Sequence, residues 1–258
     1  MTVRAFVVKA IDYDSIAEIY DLYVTSDYDV AFFVSEVRKV GGPVLELMAG
    51  TGRLSLPLLG AGARLVCVDN SRGMLDVLDR KLERHGLDAE LHCMDVRNLD
   101  LPSSFELAIL PFNAFMELVD ERDQRAVLAA VYRCLEPGGR FVCTLHNPVV
   151  RRATVDGVLR TVGRFATIEG ALVVSGVEEG GDPVVKRLQF FELYGTDGAL
   201  IWKRLLPMEF SLIEHESFES MASDVGFRID RVYGDYQRSP FEPATSPAMV
   251  FLLQKRSA

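Results

Sequence analysis

The chain has 258 residues, a formal net charge of −9 at pH 7 and 49% apolar residues. That apolar content excludes a disordered protein and is sufficient for one large domain or two small ones. Because nucleic-acid binding depends on a basic surface, the acidic balance predicts no nucleic-acid partner. No apolar run reaches the roughly 18–20 residues of a membrane span, which predicts no membrane partner.

Two features indicate a cytoplasmic protein. Lys9 and Asp12 interrupt the apolar N-terminal stretch before it reaches the length of a signal-peptide core. The 4 cysteines lie in apolar contexts without C-x-x-C spacing, and we interpret them as buried, reduced thiols. The sequence shows no cluster of metal-ligating side chains, so no metal is expected.

Residues 1–42 are predicted to form helices rich in tyrosine. The tyrosines of this segment are Tyr13, Tyr20, Tyr23 and Tyr28. Since the segment precedes the first predicted sheet strand, we expect it to fold over the open end of the sheet as an N-terminal helical lid.

From residue 43 the sequence alternates short apolar strands with amphipathic helices, which is typical of a parallel sheet with helices on both faces. The predicted strands are Val44–Met48, Arg64–Asp69, Ala89–Met94, Phe105–Pro111 and Arg140–Leu145. The predicted helices are those around Leu54–Leu59, from the cap Ser71 to about Arg84, and at Asp120–Leu135. Ligands bind at the carboxyl ends of the strands in such sheets, so we expect the site there.

The segment after the fifth strand has period-two patterns instead. Leu188–Tyr194 and Ala199–Trp202 flank an Asp197-Gly198 turn, which predicts a β-hairpin. We therefore divide the chain into a lid (1–42), an α/β core (43–148), an antiparallel β insertion (149–213) and a return to the core sheet (214–258). The return contains a helix at about Ser217–Val225 and strands at Phe227–Tyr236 and Ala248–Gln254. An exposed hairpin in the insertion would also suit a homodimer.

The loop after the first strand predicts a cofactor pocket. Gly50 and Gly52 let the backbone turn sharply and approach a ligand closely, and the following helix directs free N–H groups at the same place. Asp69 ends the second strand, where a carboxylate can accept both hydroxyls of a ribose or simply cap a helix. Met74, one helical turn later, is placed to cover an adenine or to fill the core.

Asp95 discriminates between cofactors. It ends the third strand, where its carboxylate can accept the adenine amino group while the Val96 N–H donates to the ring. A nicotinamide dinucleotide would place its adenine elsewhere and has no need of this acid. An ordinary cap for the turn that follows is the alternative interpretation.

Four motifs carry a resemblance to a known family. They are the Glu-x-Met-x-Gly-x-Gly loop at 46–52, Val68-Asp69-Asn70-Ser71 with Met74-Leu75, Asp95-Val96, and Leu135-Glu136-Pro137-Gly138-Gly139. In this order and spacing the chain resembles class I S-adenosylmethionine-dependent methyltransferases over about residues 40–148. The resemblance implies a Rossmann-like, seven-stranded, mostly parallel sheet, S-adenosyl-L-methionine as cofactor and S-adenosyl-L-homocysteine as product.

The resemblance also implies which residues bind the cofactor. They are Tyr20, Glu46, Ala49, Gly50, Gly52, Asp69, Asn70, Met74, Asp95, Val96 and Leu110. The chain departs from the family at Met48, where a glycine is usual. Either Met48 turns its side chain into the sheet, or the methionine end of the cofactor is placed slightly differently.

An activated methyl group needs mainly a nucleophile held in line behind it. An amine has only to be neutral, whereas a hydroxyl needs a base or a metal, so we expect a small-molecule acceptor with an amine nitrogen. His146 follows the fifth strand as a candidate general base, and Asn113 follows the fourth as a candidate for orienting an acceptor N–H. Structural roles are the alternative for both.

The insertion adds a group of basic residues, Arg151, Arg152, Arg160 and Arg164, with Asp156 as the acid near them in sequence. They are interpreted either as a subsite for an acceptor carboxylate or phosphate, or as solvated strand faces. Two other functions stay open at this point. A nicotinamide-dependent oxidoreductase is disfavoured because the loop lacks a third glycine and no catalytic Tyr-x-x-x-Lys follows. The other is a non-catalytic protein that only binds the adenosyl cofactor.

Overall fold

A computed structural model describes residues 11–101, 105–180 and 182–256. The strands are β1 Val44–Leu47, β2 Leu65–Asp69, β3 Glu90–Cys93, β4 Phe105–Leu110, β5 Leu135–His146, β6 Arg160–Ala166, β7 Gly170–Gly180, β8 Val184–Gly195, β9 Leu200–Ser211, β10 Phe227–Tyr233 and β11 Ala248–Lys255. The helices are α1 Ala17–Tyr23, α2 Val30–Val37, α3 Ser55–Gly60, α4 Arg72–His85, α5 Glu121–Cys134, α6 Pro148–Arg152 and α7 His215–Val225. Short 3₁₀ helices lie at Tyr13–Ile16, Val96–Asn98 and Ala114–Glu117.

The main sheet has 7 strands in the order β10-β11-β5-β4-β1-β2-β3. Strands β1 to β5 pair in parallel, while β11 runs antiparallel to both β5 and β10. The mostly parallel α/β sheet that the sequence predicted is therefore confirmed. Strand order reverses around β1, which pairs with β2 on one side and β4 on the other, and ligands bind at such a switch point.

The elements begin and end where local chemistry requires. The Ser71 side chain accepts a hydrogen bond from the Met74 N–H and so caps α4, which ends at Gly86 in a left-handed conformation (φ 62°). On α5, Val127, Leu128 and Val131 are completely buried against the sheet. These helices fix the positions of the loops at the carboxyl edge of the strands.

The insertion forms a second, antiparallel sheet of 4 strands in the order β6-β7-β8-β9, preceded by the unpredicted short helix α6. The predicted hairpin is present, with Tyr194 paired to Leu200 across the Asp197-Gly198 turn. One face of this sheet packs through Leu172 and Phe191 against Ile16 of the N-terminal segment. The N-terminal helices thus lie between the insertion sheet and α4.

Two strand boundaries differ by more than one residue from the sequence prediction. β5 begins at Leu135 rather than Arg140, because Leu135 pairs with Phe105 and the Pro-Gly-Gly segment forms an irregularity within the ladder. β10 ends at Tyr233, and Gly234 then starts a turn that directs Tyr236 towards the aromatic residues Phe32 and Tyr28. Within the described ranges, no helix combines the length and the apolar character needed to cross a bilayer.

Candidate active site

The loop between β1 and α3 has left-handed backbone at alternate positions. The φ angles are 54° at Met48, 57° at Gly50 and 82° at Gly52. Met48 therefore keeps the backbone conformation that a glycine would adopt, at a cost of about 1–2 kcal/mol for its Cβ. Its half-buried side chain packs against the main core cluster and lines the neighbouring pockets. Both the loop and its unusual methionine thus face the candidate site.

Asp69 fixes this loop to the end of β2. Its carboxylate accepts hydrogen bonds from the N–H groups of Gly50 (2.8 Å) and Ser71 (2.9 Å). The side chain is only 7% exposed, and burial raises the pKa of Asp69 although these N–H groups oppose the shift. The structure thus places a buried hydrogen-bond acceptor at the strand end where a ribose-binding acid was predicted.

A pocket of about 370 Å³, here called the larger pocket, opens at the carboxyl edge of the sheet. Its wall comes from the glycine loop, the N-terminal helices, the segment after β4 and the inner face of the insertion sheet. It brings together the predicted residues Tyr20, Gly50, Asp69, Asn70, Met74, Asn113 and His146. Its volume lies in the range of small-molecule sites.

A smaller pocket of about 230 Å³ shares Tyr13, Met48, Asn70 and Glu117 with the larger one. The predicted residues Asp95 and Val96 line it. The two pockets therefore meet at the shared residues.

Asp95 also has a local role. It accepts hydrogen bonds from the backbone N–H of Arg97 at 2.9 Å and from its guanidinium, which in turn pairs with Asp123 at 2.5 Å. These bonds from Arg97 lower the pKa of Asp95, so its carboxylate is ionised. The capping role left open by the sequence is present, and the same carboxylate lines the pocket.

Four predicted cofactor residues do not line either pocket: Glu46, Ala49, Gly52 and Leu110. Leu110 is completely buried in the core, and Phe112 and Ala114 line the pocket instead. A Cβ at Gly52 would lie 2.3 Å from Leu78 Cδ1, so close packing against α4 explains that glycine.

Glu46 lies beneath the loop in the sheet and is 1% exposed. Its carboxylate lies 3.8 Å from Cys67 Sγ, and burial raises its pKa to about 7. Glu46 is therefore part of the protein interior and does not line either pocket.

Asn113 and His146 come together at the end of β4 and β5. Asn113 Nδ2 lies 3.4 Å from His146 Nε2, and the Asn113 N–H donates to Thr144 Oγ1 at 3.1 Å. Phe112 and Asn113 both have left-handed backbone, with φ of 58° and 62°. Such strain is concentrated at functional sites.

The polar atoms of this pair are available to a ligand. Asn113 Oδ1 is buried and has no hydrogen-bond partner within the part of the chain that the structure describes. Burial, reinforced by the positive charge of Arg151, lowers the pKa of His146 to about 4. The imidazole is therefore neutral near pH 7 and is only a weak proton acceptor.

The interpretation of the arginines as an anion subsite is wrong. Arg151 pairs with Glu178 at 2.5 Å, Arg160 with Asp156 at 2.5 Å, and Arg152 with both Asp182 and Glu214. Arg152, Arg160 and Arg164 do not line either pocket, and Arg151 enters the larger one already paired. Acids distant in sequence neutralise Arg151 and Arg152, which looked unpaired along the chain.

Two further pocket residues, Glu117 and Gln189, had no signal in the sequence. The Tyr13 hydroxyl donates to Glu117 Oε1 at 2.9 Å, which joins the N-terminal segment to the 3₁₀ helix after β4. Burial raises the pKa of Glu117 to about 7, helped by the nearby charge of Asp69. Gln189 on β8 is 3% exposed, lines the larger pocket and has no partner for Nε2 among the described residues. Single acids in loops and glutamines in strands are common in protein sequences, so the sequence alone does not identify Glu117 or Gln189 as site residues.

The N-terminal tyrosines form an aromatic wall of the larger pocket. The Tyr20 ring lies 6.1 Å from Tyr13 and 5.5 Å from Tyr23, measured between ring centroids, and all three line the pocket. Burial raises the pKa of Tyr20 and of Tyr23, so both phenols are neutral. The predicted tyrosine-rich segment therefore contributes to the site directly.

Comparison with known proteins agrees with this architecture. Residues 44–139 match the family model described as a methyltransferase domain. The chain is 37% identical over 252 residues to the cypemycin N-terminal methyltransferase of Streptomyces sp, covering 95% of this chain and 98% of that protein. The chain belongs to the class I S-adenosylmethionine-dependent methyltransferases.

A further relative and a solved structure are also similar to this methyltransferase. It is 28% identical over 210 residues to the glycine/sarcosine N-methyltransferase of Parasynechococcus marenigrum (strain WH8102), covering 80% of this chain and 71% of that protein. The CcbJ methyltransferase from Streptomyces caelestis has the same fold, with a TM-score of 0.82 at 23% identity over 96% of this chain and 99% of that one. The enzyme class and Rossmann-like fold implied by the sequence motifs are confirmed.

Proposed function

We propose that this methyltransferase transfers the methyl group of S-adenosylmethionine to an amine nitrogen of a small-molecule acceptor. The observation that carries the proposal is the pair formed by Asn113 and His146 in the larger pocket. It offers a buried carbonyl oxygen, without a partner among the residues that the structure describes, beside a neutral imidazole, and this arrangement suits an uncharged amine. The names of relatives that act as N-methyltransferases support the same acceptor atom.

The residues of the glycine loop and strand ends fit the cofactor. A Cβ added at Gly50 would meet no atom within 4 Å, so the loop backbone borders open space there. Asp69 and Asp95 supply carboxylate oxygens, which suit the hydroxyl and amino donors of adenosine. We assign the methionine moiety to Gly50 and Tyr20 in the larger pocket and the adenine to Asp95 and Val96 in the smaller one.

The cofactor supplies an activated methyl group on a positively charged sulfur. Asn113 Oδ1 accepts one N–H of the acceptor and directs the nitrogen lone pair at that group. Since the pKa of His146 is about 4, its Nε2 cannot deprotonate an ammonium ion effectively. The acceptor therefore has to enter as the free amine, and its proton leaves to solvent or to a stronger base after transfer.

The proposal is tested in two steps. Calorimetric titration with S-adenosylmethionine measures cofactor binding without any acceptor. Mass spectrometry then measures methyl gain on a panel containing a free amino acid, an amino sugar, a phenol and a carboxylic acid. Methylation of the phenol or the acid but of neither amine would overturn the amine assignment. Cofactor binding without methylation of any member of the panel would also count against a small free amine as the acceptor.

A peptide N-terminus is the second candidate acceptor. It is favoured by the identity of 37% to a relative named for N-terminal methylation, which extends over 95% of this chain. A short peptide with a free N-terminus and its N-acetylated form, added to the same panel, separate this candidate from the first. Methylation of the free peptide with no gain on small amines would replace the small-molecule assignment.

A further inference from the structure

Glu117 occupies the place where the two pockets meet. It is one of the residues common to both linings. In S-adenosylmethionine, the ribose and the sulfonium connect the adenine to the methionine chain. If the adenine lies at Asp95 and the methionine at Gly50, the connecting atoms have to pass the shared residues. Glu117 is the acidic side chain among them.

Among the residues that the structure describes, the groups around Glu117 leave its carboxylate without a cation. In the N-terminal segment, the Tyr13 hydroxyl donates a hydrogen bond to the Glu117 carboxylate. Tyr20, which lies next to Tyr13, is neutral. Asp69, the last residue of β2, is an acid whose charge raises the pKa of Glu117 further.

The elements packed against the 3₁₀ helix Ala114–Glu117 are β5 and β9. They bring the neutral His146 and the acid Glu209 to the pocket walls. Glu209 has its own partner, Lys186, at 3.7 Å.

The cations of the two pockets are already engaged by other acids. Arg97 binds Asp95 and Asp123, and both Arg151 and Arg187 contact Glu178. Within the described ranges, Glu117 forms no salt bridge. A half-buried acid without a cation, at the junction of a site for a cationic ligand, requires an explanation.

We propose that the carboxylate of Glu117 is the counter-charge of the cofactor sulfonium, and that it makes the site prefer S-adenosylmethionine over its uncharged product, S-adenosylhomocysteine. Methyl transfer removes the positive charge from sulfur, and the attraction to Glu117 is lost at that moment. The same carboxylate therefore holds the substrate form of the cofactor and favours release of the product form. This inference rests on the cofactor placement given under the proposed function and not on the identity of the acceptor.

The proposal has a consequence for pH. Because the pKa of Glu117 is about 7, the carboxyl group is mostly protonated at pH 6 and mostly ionised at pH 8. S-adenosylmethionine binds the ionised form, so its apparent affinity is reduced by the fraction that is protonated. The ratio of its affinity to that of S-adenosylhomocysteine should rise about tenfold between pH 6 and pH 8. The amino and carboxyl groups and the adenosine are common to both ligands, so their titration largely cancels in the ratio.

The experiment is isothermal titration of the whole protein with each ligand at pH 6, 7 and 8, in two buffers that differ in ionisation enthalpy. We expect proton release on binding S-adenosylmethionine at pH 6 and little on binding S-adenosylhomocysteine. In Glu117→Gln the affinity ratio should become independent of pH and fall to the low value that the wild type shows at pH 6. Glu209→Gln, which alters a neighbouring acid, should keep the wild-type pH dependence.

An unchanged affinity ratio between pH 6 and pH 8 in the wild type would overturn the proposal. So would a Glu117→Gln variant that binds both ligands with the wild-type pH dependence. If that variant binds neither ligand, the wild-type proton release and affinity ratio decide alone. Failure of the amine assignment would appear only in the methylation panel, so the two proposals fail separately.

Discussion

The guanidinium of Arg53 and the carboxylate of Asp29 form a two-point ion pair beneath the active site, with Nη1–Oδ1 at 2.6 Å and Nη2–Oδ2 at 2.7 Å. The Asp29 side chain is fully buried and that of Arg53 is 14% exposed. The guanidinium also lies over the Phe112 ring, 4.4 Å from its centroid. One arginine therefore connects the residue before α2, the glycine loop and the strained turn after β4.

Arg53→Met should be strongly destabilising, because it leaves the Asp29 carboxylate buried without its partner. Removing one member of a buried pair typically costs about 3–5 kcal/mol. Urea unfolding measures the change in the free energy of unfolding. The matched control is Arg80→Met, which breaks an exposed pair with Glu18 and should cost no more than about 1 kcal/mol. Equal effects of the two variants would show that the buried pair has no special role.

Gly50→Leu should abolish detectable S-adenosylmethionine binding while the sheet stays folded. The new side chain would enter the open space beside the loop, and the left-handed backbone adds a strain of about 1–2 kcal/mol. Gly62→Leu is the control, since Gly62 also has a positive φ (90°) and open space around it but lines neither pocket. Calorimetry and thermal unfolding of both variants separate binding from strain. Normal cofactor binding by Gly50→Leu would remove this loop from the cofactor site.

Asp95→Asn should weaken cofactor binding about tenfold or more if its carboxylate accepts the adenine amino group, since a hydrogen bond to a charged group contributes about 1.5–3 kcal/mol. Asp123→Asn is a demanding control, because Asp123 binds the same Arg97 and lines the same pocket. Binding titrations of both variants distinguish adenine recognition from the local ion-pair network. A similar loss of affinity in the two variants would favour the network.

Replacing either of two buried glutamates, Glu46 or Glu36, with glutamine should change the free energy of unfolding at pH 8, but in opposite directions. Burial raises the pKa of Glu46 from its ordinary 4.5 to about 7, so the stability it contributes is present below pH 4.5 and is lost as the pH rises towards 7. Glu46→Gln should therefore stabilise the protein at pH 8, by about 3 kcal/mol at most, and flatten the pH dependence between 4.5 and 7.

Glu36 is the control for this pH experiment. Burial alone would raise its pKa, but hydrogen bonds from Lys39 and Arg238 lower it, and Arg140 also pairs with it at 2.9 Å. Glu36→Gln should destabilise the protein at pH 8, because it leaves cations without their shared acid. Urea unfolding at pH 4.5 and pH 8 measures the change in the free energy of unfolding for both variants. Destabilisation by Glu46→Gln at pH 8 would contradict the description of Glu46 as an acid whose pKa is raised by burial.

Much of the cofactor side could be predicted because its signals are local. The segment from Val44 to Gly52 encodes a strand, a sharp turn and a helix within a few residues. Parallel strands bring Asp69 and Asp95 to one edge of the sheet, so a strand prediction was enough to place them near the loop. Met48 was recognisable as unusual, although its left-handed backbone and its contact with the core became visible only in the folded chain.

The acceptor side resisted prediction because its contacts are distant in sequence. The arginines after residue 150 looked unpaired along the chain, yet Glu178 and Glu214 neutralise Arg151 and Arg152 once the insertion has folded. The bond between Tyr13 and Glu117 spans 104 positions. No motif indicates such a pair, because neither residue type is unusual where it stands.

The sequence by itself determined the family, the alternating α/β order and the strand ends at which the cofactor acids stand, since hydrophobic period, glycines and caps act over a few residues. The tertiary structure alone decided which charged groups are paired and which are not. That distinction depends on burial and on partners from other elements. Among the described residues, it leaves Glu117 without a cation and Asn113 Oδ1 without a donor, and both residues line the larger pocket.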